Sequence, residues 1–585
     1  MCKKTNNYFW ILIALCICSL VIFLGNTLFN TKGEPREAVV AMSMLNNGNW
    51  ILPINNGTDF AYKPPMFHWC IAVFSLFAGH VTEFTSRLPS AISLIAMVLV
   101  GFKFYEKRCS AQTAFLMSLI TITNFEVHRA GTNCRVDMLL CAFIVIALYQ
   151  LYKWGEKGLR GMPVAAILCM SGAFLTKGPV GIILPCLVTA VFLLIRGYKF
   201  GTLILRFMGV ALAACVLPAV WYFLAYQQGG EQFLQLVYEE NVLRFLGKMT
   251  YSSHEEPFYY NFITVIAGYL PYTIFVLISL FVLKYKRPSG RLKDLAYRLW
   301  TRIKGMGDAR LFSLLSIAII FVFYCIPKSK RSVYLLPIYP FMAFFLAEYM
   351  VYIVRRHYRA LRMFGHVLAS IVILVVVSFL TVRMGLVPDD IFTGKHAMTN
   401  VKMLHSLETS PLDFWQYLVI LVPLVAAGMF WFKIKAKGVA AIYSVISIAF
   451  SIFLTLDGVF LPMLLNAKSD KGMAMQIAKI VPTGRVYSFR TDITVGNMMH
   501  PYTTNFYLGD RIVPFNSVHP REGYLLTGNS DIDSFKVKNP DYKVVEVVNF
   551  NHKSCDDKKM QHLYKFKRMA EAKVSEFGEE GKTLP

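Results

Sequence analysis

Charged residues are scarce in this chain. Asp, Glu, Lys and Arg make up 16% of its 585 residues, where a soluble chain carries about a quarter. That shortage excludes an ordinary soluble enzyme, and the 56% apolar content excludes a disordered or collagen-like chain. Repeats and low-complexity tracts are absent. The twelve cysteines lie almost all in apolar runs and only Cys555 falls in a polar tail, so no disulfide framework and no zinc-ligand spacing can be drawn. No GxxxxGK[ST] phosphate loop is present, and no nucleotide is expected. The first apolar run, 8–29, is too long for a signal-peptide core and lacks a small-residue cleavage site, so it is expected to be a retained helix.

Apolar sequence fills the space that charge leaves, with a mean hydropathy of +0.48. Thirteen membrane spans fit: 8–29, 88–105, 111–128, 138–153, 163–176, 179–196, 206–226, 259–284, 311–326, 333–354, 363–386, 414–433 and 438–465. The run "PPMFHWCIAVFSLFAG", 64–79, is short and led by proline, which suits a helix lying at the membrane face. Residues 466–585 return to soluble composition; "RVYSF" and "YKVVEVVNF" read as strands and "KGMAMQIAKIV" as an amphipathic helix. The expected fold is a polytopic α-helical membrane protein of about thirteen spans, 1–465, with an outer loop 30–87 holding interfacial helices. A small soluble α/β domain, 466–585, follows.

The net charge of +25 does not call for nucleic acid, because the cations cluster in short loops between spans. With 64–79 at the surface, alternate loops and the N-terminus hold 27 Lys and Arg, against 15 in the opposite set before residue 466. The basic set is expected on the cytoplasmic side, which puts the N-terminus in the cytoplasm and the C-terminal domain outside. Six separate stretches then send ionisable groups to the outer face. They supply Glu34, Arg36 and Glu37; Lys63; Arg129, Arg135 and Asp137; Lys177; Glu239, Glu240, Asn241, Arg244, His254 and Glu255; and Lys328, Lys330, Arg331 and Tyr334. Cations on that face run against the positive-inside bias, and charge at a helix end near the bilayer is costly unless paired or solvated. Cations there suit a phosphate and carboxylates suit a base or a metal, so a lipid-linked phosphate substrate is expected. Asp457, in the last span, has no visible partner and is read as structural.

"GEPREAVVAMSMLNNGNWILPINNG", "YKPPMFHW", "TEFTSRLPSA", "RVDMLL", "FLTKGPVGIILP", "EENVLRFLG" with "HEEPFYY", and "KSKRSVYLLPIYPFMA" occur in that order over residues 1 to about 350. Together they resemble the GT-C-fold glycosyltransferases of the aminoarabinose-transferase and dolichyl-phosphate-mannose protein mannosyltransferase superfamily. The resemblance implies an inverting transferase in the bacterial inner membrane. It would move a sugar from a polyprenyl-phosphate to the hydroxyl of an acceptor lipid, protein or glycan at the outer face. Carried over by position, Glu34 and Asp137 would be catalytic and Arg36, Lys63 and Lys177 would hold the donor phosphate. Arg244, Lys330 and Arg331 join them as cations of the same face, and Glu37, Tyr62, Glu240, Asn241 and Tyr334 as further site residues. His254 would bind a divalent metal. Two positions depart from the family: Gly33 stands where an Asp is usual, leaving Glu34 as the expected base. Tyr62 stands where a Glu metal ligand is usual, which weighs against metal dependence unless Glu255 or Glu256 substitutes. The rival readings are a flippase for a lipid-linked sugar, a ligase or polymerase of lipid-linked oligosaccharides, and a scaffold. Transporters show repeats and polar midspan residues, whereas here charge crowds one end of the spans. Thirteen spans also exceed what anchoring needs.

Overall fold

The computed structural model describes residues 2–243, 246, 248, 255–284, 291–394, 396–433, 438–491 and 500–569. Each of the thirteen apolar stretches contains a helix. Among the described residues, eight helices are long and apolar enough to cross a membrane, from Glu83–Glu106 to Val439–Asn466. The stretch 259–284 differs from a straight span: Tyr260–Gly268 and Tyr272–Val282 meet at 96°. Pro271 lies at that break, where it has no amide to continue the helical ladder. The helices Ala111–Ile122, Val164–Lys177 and Val180–Ile195 are shorter than a full crossing. Met66–Ala78, the proline-led run, is a 13-residue helix with Val73, Leu76 and Phe77 exposed.

The first span is also shorter than expected. Its helix ends at Leu20 and residues 21–26 form turns. Beyond this end, Arg87 Nη1 donates to the carbonyls of Leu24 at 2.9 Å and Thr27 at 2.6 Å. A buried guanidinium satisfies those carbonyls in place of the next helical turn.

The outer loop is built around the helix Gly33–Asn47. Pro35 and Glu34 occupy its first turn, where a missing amide is harmless and a carboxylate opposes the helix dipole. Gly48, at φ 69°, ends it in the left-handed conformation that glycine adopts without strain. Ala38, Val39 and Ala41 are buried against Phe29, Phe67 and Ile71.

The C-terminal domain is a five-stranded sheet in the order Ile512–Pro514, Val486–Phe489, Glu522–Gly528, Met560–Arg568, Tyr542–Lys553. The first three strands are parallel and the last two pairings antiparallel. Adjacent residues serve opposite faces, as the period of a strand requires: Leu526 packs with Met473 and Ile477, and Leu525 with Phe515 and Phe535. The domain sits on the outer loop. Phe506 enters that loop's core edge-on to Phe29 at 4.7 Å, a burial that stabilises by roughly 1.5–3 kcal/mol. Tyr507 accepts from Phe29 N and donates to Glu83, and Ser43 donates to Asp510 at 2.6 Å.

Candidate active site at one end of the helices

The helix ends sort by charge. Arg108 pairs with Glu156, Arg196 with Asp308 and Arg310 with Glu348 where the basic loops meet. At the opposite ends, a cavity of about 780 Å³ is lined by Glu34, Arg135, Asp137, Glu256, Lys330 and Arg331. Its other wall is apolar, from Leu20 and Leu24 of the first span to Phe453 and Leu461 of the last.

Glu34 is held from three directions. Arg87 donates Nε to Oε1 at 2.8 Å and Nη2 to Oε2 at 3.0 Å, and the Cys134 amide donates to Oε1 at 2.9 Å. Burial pushes the Glu34 carboxyl up, but Arg87, the Cys134 amide and Arg135 together leave its pKa below the ordinary value. The cap of Glu83–Glu106 places Arg87: Thr82 accepts from the Thr85 amide and Thr85 Oγ1 accepts from the Thr82 amide, which sets Arg87 in the second turn.

Asp137 is in the first turn of Val136–Glu156 and Lys177 is the last residue of Val164–Lys177, each the charge its helix end favours. The two form a salt bridge, and the Lys177 ammonium stands 4.3 Å from the centre of the Tyr334 ring. Lys330 lines the cavity while its ammonium donates to the carbonyls of Glu256 at 3.0 Å and Pro327 at 2.8 Å. It braces the turn that carries Arg331.

One helical turn beyond Glu34, Glu37 centres a neighbouring cluster. Its Oε1 accepts from Arg36 Nη2 at 2.8 Å and its Oε2 lies 2.9 Å from His68 Nε2. Burial raises the Glu37 carboxyl, yet Arg36, Lys63 and His68 overcome it and hold the pKa well below the ordinary range. Arg36 is raised in turn, chiefly by Glu37. Tyr62 donates to Glu240 at 3.3 Å, joining the outer loop to the end of the long helix, and Asn241 follows, its side-chain amide on the Val237 carbonyl. So Glu34, Asp137, Lys330 and Arg331 share the cavity, and Lys177 and Tyr334 join it through Asp137. Arg36, Glu37, Lys63, Tyr62 and Glu240 stand in the second cluster. Arg244 and His254 lie outside the described residues.

Asp457 is not without a partner, as the sequence reading had it. Its Oδ2 is 2.7 Å from His128 Nε2, and His128 Nδ1 faces the Ile122 carbonyl at 3.1 Å. Asp457 lies in a π-helical turn, Leu456–Phe460, and lines the cavity. Arg87 and His128 were missed as site residues as well. A buried charge in the second turn of a span was the available signal for Arg87, but nothing local joins His128 to Asp457.

The resemblance expects a metal site, and the described donors do not complete one there. Tyr62 offers a hydroxyl already bonded to Glu240, and the histidine lies outside the described residues. Among the described residues, the group with metal-ligand spacing is Asp470, Cys555 and Asp556, in the C-terminal domain.

A multi-span helical domain with acid–base pairs at one end of its helices and a small mixed α/β domain defines a membrane-embedded GT-C architecture. A family model described as dolichyl-phosphate-mannose-protein mannosyltransferase matches residues 62–223. An uncharacterized protein of Aquifex aeolicus is 30% identical over 346 residues, 58% of this chain and 73% of its own length. The undecaprenyl phosphate-alpha-4-amino-4-deoxy-L-arabinose arabinosyl transferase 2 of Proteus mirabilis is 25% identical over 383 residues, 64% of this chain. The structure of ArnT from Cupriavidus metallidurans bound to undecaprenyl phosphate superposes with a TM-score of 0.69 at 18% identity, covering 96% of this chain and 98% of that one. The chain is a multi-pass membrane protein with the fold of that ArnT structure, and its sequence is similar to lipid-phosphate-sugar glycosyltransferases. It spans 65% of the length of the Proteus mirabilis transferase and 62% of that of a second Aquifex aeolicus protein.

Proposed function

We propose that this protein transfers a sugar, with inversion, from a polyprenyl-phosphate to an acceptor hydroxyl on a lipid, protein or glycan. The site is proposed to face outward from the bacterial inner membrane, with the N-terminus in the cytoplasm and the C-terminal domain on the periplasmic side. One observation carries the reading: a cavity with an apolar wall and a charged floor at the end of the spans, where the Glu34 and Asp137 carboxylates are already paired with Arg87 and Lys177. Such a floor attracts an anion while the wall accepts hydrocarbon.

The acceptor oxygen attacks C1 of the sugar as the bond from C1 to the phosphate oxygen breaks on the opposite side. The electron pair leaves with the phosphate, whose negative charge grows, and cations placed there lower the barrier more than they stabilise the ground state. Arg36, Lys63 and Lys177 are the residues proposed to hold that phosphate. Asp137 is proposed to take the acceptor's proton, because it borders the cavity with Lys177 on one oxygen. Glu34, with three donors on its two oxygens, is assigned to holding the site's shape. Glu37 orients Arg36, and Tyr62 with Glu240 closes the second cluster. No step is routed through a metal.

The test is reconstitution of the full chain in nanodiscs with a polyprenyl-phosphate sugar and a hydroxyl acceptor, with mass spectrometry of both lipids. The expected result is free polyprenyl phosphate and a glycosylated acceptor of inverted configuration, lost in Asp137→Asn while donor binding persists. Movement of the intact lipid-linked sugar across the bilayer without cleavage would establish the flippase instead.

A further inference from the structure

Most cations of the cavity floor have a partner, and among the described residues one stands apart. Arg87 is bound to Glu34, Arg129 to Glu126, Lys177 to Asp137, and Lys330 to backbone carbonyls. Arg135 lines the same cavity, half-buried, and its guanidinium makes no hydrogen bond or ion pair among the described residues. Its field reaches Glu34 and Asp137, but both carboxylates already have a nearer cation. A half-buried guanidinium with its donors unspent is costly to keep unless a ligand takes them.

Gly33 gives it its place. A Cβ built on Gly33 would fall on the Arg135 guanidinium, with Nη2 and Cζ nearer than any real contact allows. The backbone of Gly33 is helical, with no left-handed conformation to require glycine. What the position needs is empty space, and Arg135 fills it.

We propose that Arg135 is an anion-binding residue of the cavity, seated over the bare Cα of Gly33, and that it grips phosphoryl oxygens of a bound substrate. A guanidinium fork suits a phosphate, which it meets with two parallel N–H donors. This rests on the glycosyltransferase reading. The phosphate has two possible sources: the donor's own leaving group, or a phosphate on the acceptor beside the attacked oxygen. Arg135 lines the same cavity as Asp137 and the apolar residues of the first and last spans, so either source can reach it there.

The experiment uses the full chain in nanodiscs, comparing wild type with Arg135→Ala, Arg135→Lys, Gly33→Ala and the double variant Gly33→Ala/Arg135→Ala. Binding of undecaprenyl phosphate is measured, then binding of diphosphorylated lipid A against the same lipid without its phosphates. If the donor is the source, Arg135→Ala weakens undecaprenyl phosphate roughly ten- to a hundredfold, the scale of a charged hydrogen-bond pair, and Arg135→Lys recovers part of it. If the acceptor is the source, that binding holds and the preference for phosphorylated lipid is lost. In both cases Gly33→Ala weakens binding in the wild-type background and changes nothing further in Arg135→Ala. A general folding defect at either position would instead add. The inference is overturned if neither lipid's binding depends on Arg135, or if the two variants add. Wild-type protein that binds neither phosphate lipid overturns the glycosyltransferase reading itself, a separate outcome.

Discussion

Arg87 donates to both oxygens of Glu34 at 2.8 and 3.0 Å, and its remaining terminal nitrogen donates to the carbonyls of Leu24 and Thr27. One guanidinium thereby fastens the end of the first span, the head of the outer-loop helix and the second turn of the next span. All three elements line the cavity, so the shape of the site depends on this contact.

Glu34→Gln and Arg87→Met each leave a buried charge without its counterpart. Both are expected to lose about 3–5 kcal/mol of stability, read as a fall in the thermal midpoint of the detergent-solubilised protein. Loss of activity in Glu34→Gln then has to be normalised to folded protein. An unchanged midpoint with activity abolished would restore Glu34 to the role of base.

Tyr334 is expected to act through its ring. Tyr334→Phe keeps the face beneath the Lys177 ammonium and should leave the donor KM near wild type. Tyr334→Leu removes a cation–π contact of about 1–2 kcal/mol and should raise that KM roughly five- to thirtyfold. Equal KM values in the two variants would show that the ring does not position Lys177.

The Glu37 pKa is depressed by Arg36, Lys63 and His68 in spite of burial. A depressed carboxyl adds stability that is complete above its unfolded value, near 4.3, and is lost as pH falls through the folded value. Wild type should therefore exceed Glu37→Gln in stability at pH 7, with the gap closing in acid. Differential scanning fluorimetry from pH 7 to pH 3 measures it, and a gap independent of pH would count against the paired carboxylate.

Asp556 behaves the opposite way. Burial and the nearby Asp470 carboxylate push its pKa to about 7. Its contribution is intact below the unfolded value, near 3.9, and is lost as pH rises toward 7. Hydrogen exchange at the helix Tyr502–Tyr507, whose Thr503 donates to Asp556 from its amide and hydroxyl at 2.8 Å each, should quicken between about pH 4 and pH 7 after correction for intrinsic rates. In Asp556→Asn that pH dependence should disappear.

The fold was legible because it is written locally. Long apolar runs must satisfy their own backbone in helices, and each of the thirteen holds one, eight of them among the described residues long and apolar enough to cross a membrane; strands formed at 486–489 and 542–553. The exceptions are instructive. The first helix stops early and the chain beyond it is held by a distant arginine, and 259–284 bends where proline interrupts it. The site was legible as a set of charges and not as a set of contacts. Glu34, Asp137, Lys177 and Tyr334 were all named from the sequence, but Glu34 had been given the base's task without sight of Arg87.

Hydropathy and the bias of cations toward one set of loops were enough, by themselves, to determine a helical membrane protein with its chemistry at one end and a small α/β domain behind it. Which cation neutralises which carboxylate was decided only by the tertiary structure. Glu34 meets Arg87 across 53 residues and His128 meets Asp457 across 329, and no periodicity within one helix encodes a contact between helices so far apart. The placing of Arg135 over Gly33 is of the same kind: it depends on an empty volume, which exists only once the two segments are packed together.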